Sequence, residues 1–297
     1  MQYRSLGSSL LRVSETGFGC MSLGEDERAS TALINYALDK GINFFDTADL
    51  YQQGRNEAMV GKALQQKRAD VIIATKVGNQ WRADGSGWDW NPRKDYILNA
   101  VNDSLRRLQT DYIDLYQLHG GTLEDPIDET IEAFEQLQQQ GKIRYYGISS
   151  IRPNVIREYV KRSNIVSVMM QYSLLDRRPE ETCLPLLQQE GIGVLARGSL
   201  AKGLLINKPA APYLNYREAD VARAAEAVRR ISGPGRNAAQ TAVQFVLQHP
   251  AVCCAVTGIR TAEQLEEITG TAARSLTEEE FHGLQQVLPV NYYDAHR

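Results

Sequence analysis

The sequence predicts an α/β fold: a (β/α)8 TIM barrel in one domain spanning residues 1–297, with an N-terminal β-hairpin and extra C-terminal helices. Three observations lead there. Eight short β-rich runs alternate with amphipathic helical stretches, the pattern of a parallel sheet. The runs are apolar on both faces, as strands covered on both sides must be. The chain has 297 residues, near the roughly 250 residues of one such barrel, although two ordinary domains would also fit. Eight strands suit a closed barrel better than an open doubly wound sheet.

The elements follow in order. MQYRSLGSSLLRVSE reads as a hairpin, Gln2 to Leu6 and then Leu10 to Val13, with Gly7 in the turn and the pair placed to plug the barrel bottom. The strand runs are TGFGC (16–20), INFFDTAD (42–49), VIIATK (71–76), YIDLYQLH (112–119), IRYYGISS (143–150), VSVMMQYS (166–173), IGVLARGS (192–199) and AVTG (255–258). Among the helical stretches, ERASTALINYALDKG ends on Gly41 and DETIEAFEQLQQQG on Gly141, both suited to a helix C-terminus. NPRKDYILNAVNDSLRRL opens with Asn91 as expected N-cap and Pro92 at the first helical position. RPNVIREYVKRS, EETCLPLLQQEG and NAAQTAVQFVLQHP fill further slots. Residues 217–231 and 277–288 look like helices surplus to the repeat.

Composition excludes several functions. The formal net charge is -3 and no block of like charges stands out, which argues against nucleic acid or an anionic membrane as main partner. No run approaches the roughly 18 apolar residues of a membrane span. The N-terminus lacks an apolar signal-peptide core. Cys20, Cys183, Cys253 and Cys254 form no CxxC pair and read as reduced thiols of a cytoplasmic protein. The four histidines fall in no HxH or HExxH pattern, so no metal site is expected. Only one strand end offers a carboxylate, which disfavours a retaining glycosidase. Lys76 as a Schiff-base nucleophile is a further, weaker alternative.

In such barrels the chemistry sits at the C-terminal ends of the strands. Read in order, these ends deliver Asp46 with Asp49 and Tyr51, then Lys76, His119, Ser149 with Ser150, Gln171 with Tyr172, Arg197 with Ser199, and Gly258 leading to Arg260. An ammonium beside a tyrosine favours tyrosinate and lowers its pKa, so Tyr51 can serve as a proton donor, with Asp46 holding Lys76 charged and a neutral His119 orienting a carbonyl. Taken singly, each residue also has an ordinary structural role: Asp46 as a cap, Tyr51 in packing, Lys76 in solvent, His119 as a satisfied histidine. Asp111 and Asp114 read as structural. None of these groups is a hydride source, so reduction needs a bound cofactor.

At these residues the sequence resembles the aldo-keto reductase family. FFDTADLYQQGRNEAMVGKAL carries Asp46 and Tyr51, IIATK supplies Lys76 and TDYIDLYQLH supplies His119; YYGISS, MMQYSLLDRR, LAKGLL and TGIRTAEQLEE follow in the family's order. The resemblance implies an NADP(H)-dependent oxidoreductase that reduces an aldehyde or ketone, with Tyr51 as general acid. It implies cofactor contacts at Gly19, Cys20, Met21, Asp46 and Gly258. Ser149 and Gln171 would bond the nicotinamide carboxamide. Ser199, Leu200 and Lys202 would wrap the pyrophosphate, with Arg197 nearby. Arg260, Gln264 and Glu267 would hold the adenosine end, and Arg260 favours NADPH because a guanidinium pairs with a 2′-phosphate. The sequence departs from the family at Ser150, where Asn is usual, at Arg197, where an aromatic commonly stacks on the nicotinamide, and at Ile268, where Asn is frequent. A non-catalytic NADPH-binding sensor or regulatory barrel is the alternative within the same family. No partner protein is indicated.

All three tryptophans, Trp81, Trp88 and Trp90, fall in one segment after the third strand, which reads as a loop at the top of the barrel, longer than most of its kind. They can wall an apolar substrate pocket or pack against the barrel rim. Residues 77–90 carry few charges, which gives a strongly anionic substrate no partner there.

Overall fold

The computed structural model describes residues 1–269 and 274–297. The chain opens with β1 (Tyr3–Ser5) and β2 (Arg12–Ser14), an antiparallel pair. There follow β3 (Thr16–Gly19), α1 (Glu27–Asp39), β4 (Phe44–Asp46), α2 (Arg55–Leu64) and β5 (Ile72–Val77). A second antiparallel pair, β6 (Asn79–Trp81) and β7 (Trp88–Trp90), precedes α3 (Lys94–Leu108). Next come β8 (Ile113–Leu118), α4 (Ile127–Gln139), β9 (Ile143–Ser149), α5 (Pro153–Arg162), β10 (Ser167–Gln171), α6 (Cys183–Gln189) and β11 (Gly193–Arg197). The chain continues through α7 (Glu218–Ile231), α8 (Ala238–Leu247), β12 (Val252–Gly258), α9 (Ala262–Thr269) and α10 (Glu278–Gln285).

Strands β3, β4, β5, β8, β9, β10, β11 and β12 close into a barrel in that order, with β12 pairing back to β3. Every pair in the ring is parallel. The expected (β/α)8 architecture is therefore present. Successive strand residues point to opposite sides, and the core divides accordingly. Phe44, Ile72, Ala74, Leu115, Met169 and Leu195 share an inner cluster, while Phe45, Ile73, Val168 and Val194 pack outward with the helices. Leu6, Leu11 and Val13 of the hairpin belong to the inner cluster, so the hairpin plugs the barrel. Gly7, at φ 55°, makes this approach possible: a Cβ there would stand 2.4 Å from the Val166 carbonyl oxygen, so a side chain would collide with backbone. Val166 immediately precedes β10, which places the plug at the N-terminal end of the strands.

Gly41 and Gly141 follow their helices at φ 85° and 72°, as a left-handed C-terminal residue should. Asn91 does not cap α3. Its backbone N–H donates to Gly78 O at 2.7 Å, closing the tryptophan hairpin, and its Oδ1 accepts from Arg93 N at 3.1 Å. The Pro92 carbonyl accepts from Thr130 Oγ1 at 2.7 Å. Both residues are thus committed elsewhere, and the helix starts at Lys94 with Arg93 as N-cap. The tryptophan segment, expected as a loop, is the β6–β7 pair. The last barrel strand is longer than AVTG and takes in Val252, Cys253 and Cys254. Helices α2 and α9 fill slots of the repeat to which the sequence reading assigned no particular stretch. The surplus helices are α7, ahead of α8, and α10. Among the described residues, no helix is long and apolar enough to cross a membrane. Asp114 is buried and structural, binding Arg68 at 2.7 Å, Arg144 at 3.1 Å and the Ile73 N–H at 3.0 Å.

Candidate active site

The C-terminal ends of the strands converge on a cleft of about 920 Å³. Asp46 ends β4 and Lys76 lies on β5, and the loop between β4 and α2 is laid over β5 by two backbone bonds, Thr47 N to Ala74 O at 2.9 Å and Asp49 N to Lys76 O at 3.3 Å. Tyr51 follows in a tight segment in which Gln52, Gln53 and Gly54 have φ of 50°, 55° and 83°. This left-handed run reverses the chain into α2 and leaves the Tyr51 phenol in the cleft. His119 follows β8, its N–H donating to Val77 O at 2.8 Å.

The Lys76 ammonium uses all three of its donors. It donates to Asp46 Oδ2 at 2.8 Å, to the Thr47 carbonyl at 2.8 Å and to the Tyr51 hydroxyl oxygen at 3.2 Å. The other Asp46 oxygen accepts from Gln117 Nε2 at 3.4 Å. Because the Tyr51 oxygen accepts from Lys76, its own proton remains available to a partner in the cleft. The His119 ring meets the Tyr51 ring edge-on, with centroids 5.8 Å apart and planes at 82°. His119 Nδ1 is buried and has no hydrogen-bond partner among the described residues.

Burial dominates the electrostatics. It pushes the Tyr51 phenol above the ordinary tyrosine range, and the pull of the Lys76 ammonium offsets this only in part. The expected lowering by Lys76 is present, but the net direction is upward, because the phenolate loses more hydration than one ammonium, itself paired with Asp46, returns. For Lys76, burial acts downward, yet Asp46 and Tyr51 together hold its pKa above the ordinary lysine value. His119 is lowered to about 3 by burial, with Lys76 and Arg197 adding to the effect. The imidazole is therefore neutral and can offer one N–H to a carbonyl oxygen.

Of the residues expected to touch cofactor, Gly19, Met21, Asp46, Ser149, Gln171, Arg197, Lys202 and Gly258 line this cleft. Cys20 is wholly buried and does not line it. Ser199 is buried and Leu200 packs against the core. Arg260, Gln264 and Glu267 stand exposed beyond the cleft, on and just before α9, and Arg260 N donates to Gln264 Oε1 at 2.9 Å. Among the departures, Ser150 is buried beside the cleft and accepts from Arg152 N at 3.2 Å, whereas Ile268 is buried in the core. Trp88 and Trp90 line the cleft, and the Trp90 indole donates to Asp125 Oδ1 at 2.9 Å. Trp81 does not line it. Its indole donates to Leu50 O at 3.3 Å, and it borders a neighbouring polar cleft together with Asp49. The hairpin thus splits the tryptophans between two cavities.

Tyr213, from the connection between β11 and α7, also lines the cleft, and nothing local in the sequence marks it. Its partner Gln171 is 42 residues away in the chain, so only tertiary structure joins them. Arg152 is a second lining residue that strand-end reading passed over. Among the described residues, no three histidines, cysteines or carboxylates gather as a metal site.

The family model described as "Aldo/keto reductase family" matches residues 15–289. The chain is 53% identical over 307 residues to "Uncharacterized oxidoreductase YqkF" of Bacillus subtilis (strain 168), with 100% of each chain covered. Among solved structures it is similar to aldo-keto reductase AKR11C1 from Bacillus halodurans in its holo form, at TM-score 0.94 and 53% identity, covering 100% of this chain and 99% of that one. It is also similar to the glycerol dehydrogenase AKR11B4 from Gluconobacter oxydans, at TM-score 0.86 and 26% identity, covering 98% of both.

Proposed function

The chain belongs to the aldo/keto reductase family, and we propose that it is an NADPH-dependent enzyme reducing aldehydes or ketones to alcohols, with Tyr51 as proton donor. One observation carries this reading: the Tyr51 oxygen accepts from Lys76 at 3.2 Å inside the cleft, which frees the phenol proton for a substrate oxygen. The donor set suits a dinucleotide. Ser149 and Gln171 offer a hydroxyl and an amide for a carboxamide, and Arg197 and Lys202 supply positive charge on the same cleft for phosphates. Arg260, exposed and free of any ion pair in the described structure, suits a 2′-phosphate.

Bound NADPH supplies the hydride, which no group of the cleft can. The protein's own residues do the rest. The neutral His119 offers an N–H that fixes the carbonyl oxygen near Tyr51. As negative charge develops on that oxygen, Tyr51 releases its proton to it, and the Lys76 ammonium stabilises the phenolate left behind. Asp46 keeps Lys76 charged and in register. An alkoxide is a stronger base than a phenolate, so this transfer runs downhill even though burial raises the Tyr51 pKa. Trp88 and Trp90 give one side of the cleft an apolar wall for the substrate. The same steps reversed oxidise an alcohol. The reading includes a single domain of 297 residues and a cytoplasmic location, since all four cysteines are free and buried.

The test follows NADPH absorbance with purified protein against a panel of aldehydes, ketones and dicarbonyls. The expected result is turnover that falls by about a hundredfold or more in Tyr51→Phe while NADPH still binds. Equal turnover in both proteins removes Tyr51 from its role. Tight NADPH binding with no turnover across the panel favours a cofactor-sensing barrel.

A further inference from the structure

We infer that Tyr213 is a positioning residue for the cofactor, acting through Gln171, whose side-chain amide it holds in place together with Arg197; this rests on the NADPH-binding role proposed above. Gln171 ends β10 and lines the cleft. Its Nε2 donates to the Tyr213 hydroxyl at 2.8 Å, and its Oε1 accepts from Arg197 Nη1 at 3.3 Å. Gly198 completes the clamp. It stands at φ 75°, and a Cβ there would lie 3.3 Å from Gln171 Cγ, so this position favours glycine both for its backbone and for the room it leaves the glutamine stem.

A glutamine amide offers an acceptor at one end and two donors at the other, and a half-turn exchanges them. Here Arg197 opposes the exchange, because a guanidinium only donates and would meet an NH2 group. The Tyr213 hydroxyl, which can donate or accept, anchors the other end of the amide in place. The fixed amide keeps one N–H and one lone pair uncommitted. A carboxamide has the complementary acceptor and donor, so the held amide suits such a ligand paired with it edge to edge.

Tyr213 is itself rigidly held. It is buried. It exchanges backbone hydrogen bonds with Tyr216 at 3.1 and 3.0 Å, around Leu214 at φ 52°. The Tyr216 hydroxyl donates to Pro289 O at 2.6 Å, tying this turn to the C-terminal region. The connection after β11 thereby reaches back to the end of β10 and sets a polar group there.

The test measures binding of NADPH and of adenosine 2′,5′-bisphosphate, which lacks the nicotinamide, to wild type, Tyr213→Phe, Gln171→Ala and the double variant. Tyr213→Phe is expected to weaken NADPH by about fivefold, the effect of one neutral hydrogen bond, and to leave the bisphosphate unchanged. In the Gln171→Ala background the same change is expected to have no further effect. Unaltered NADPH binding in Tyr213→Phe overturns the inference alone, as does equal weakening of both ligands, which would mark a role in loop structure only. An additive double variant also overturns it. A wild type that binds no NADPH overturns the functional reading, and the inference with it.

Discussion

The Lys76 ammonium and the Asp46 carboxylate meet at 2.8 Å inside the barrel mouth, with Lys76 1% exposed and Asp46 5% exposed. Two charges so deeply buried are tolerable only together, because either one alone has neither water nor a counter-ion. Asp46→Asn and Lys76→Met are each expected to destabilise the fold by about 3 kcal/mol. The Asp46→Asn/Lys76→Met double variant should lose less than the sum. Chemical denaturation of the four proteins measures this, and strict additivity would show that the pair is not coupled.

His119 gives the stability a pH dependence of known sign. Its pKa falls from the ordinary 6.5 to about 3 in the folded protein. Between those values the unfolded chain binds a proton on this residue and the folded chain does not. The contribution is therefore fully present above 6.5 and is lost as the pH falls toward the folded value, with a slope of up to about 1.4 kcal/mol per pH unit. His119→Gln should flatten that part of the profile of unfolding free energy. An unchanged slope would mean that His119 titrates normally in the fold.

Arg260 projects from the start of the α9 region and its backbone N–H, not its guanidinium, binds Gln264. Arg260→Ala therefore keeps the local turn and removes only the cation. NADPH affinity is expected to fall roughly tenfold or more, as for loss of a charge-assisted hydrogen bond, with NADH affinity little changed. Direct titration of both cofactors decides this, and an equal loss for both would place the 2′-phosphate elsewhere.

Trp88 and Trp81 face different cavities although they are cross-strand neighbours in the β6–β7 pair. Trp88→Ala is expected to raise KM for aromatic or alkyl aldehydes by roughly three- to tenfold, with kcat little changed. Trp81→Ala should have a smaller effect on KM. Steady-state kinetics on one substrate series compares them, and equal effects would mean that the hairpin acts as a unit rather than through the indole that lines the cleft.

The sequence by itself determined the barrel and the four residues at its mouth. Both are local properties. Strand runs that are apolar on both faces, helices ending on Gly41 and Gly141, and polar residues at successive strand ends are all legible within a few positions of each other. Once the strands close in a ring, Asp46, Tyr51, Lys76 and His119 have to gather. Tertiary structure alone decided what these groups experience. The sign of the Tyr51 shift depends on how far burial outweighs one ammonium, and burial has no local signature. The parting of Trp81 from Trp88 and Trp90 depends on a hairpin where the sequence suggested a loop. The start of α3 at Lys94 rather than beside Asn91 depends on Gly78 and Thr130 claiming the backbone groups of Asn91 and Pro92. Tyr213 reaches Gln171 across 42 residues. A contact at that separation is made by packing, which no periodicity within either segment records.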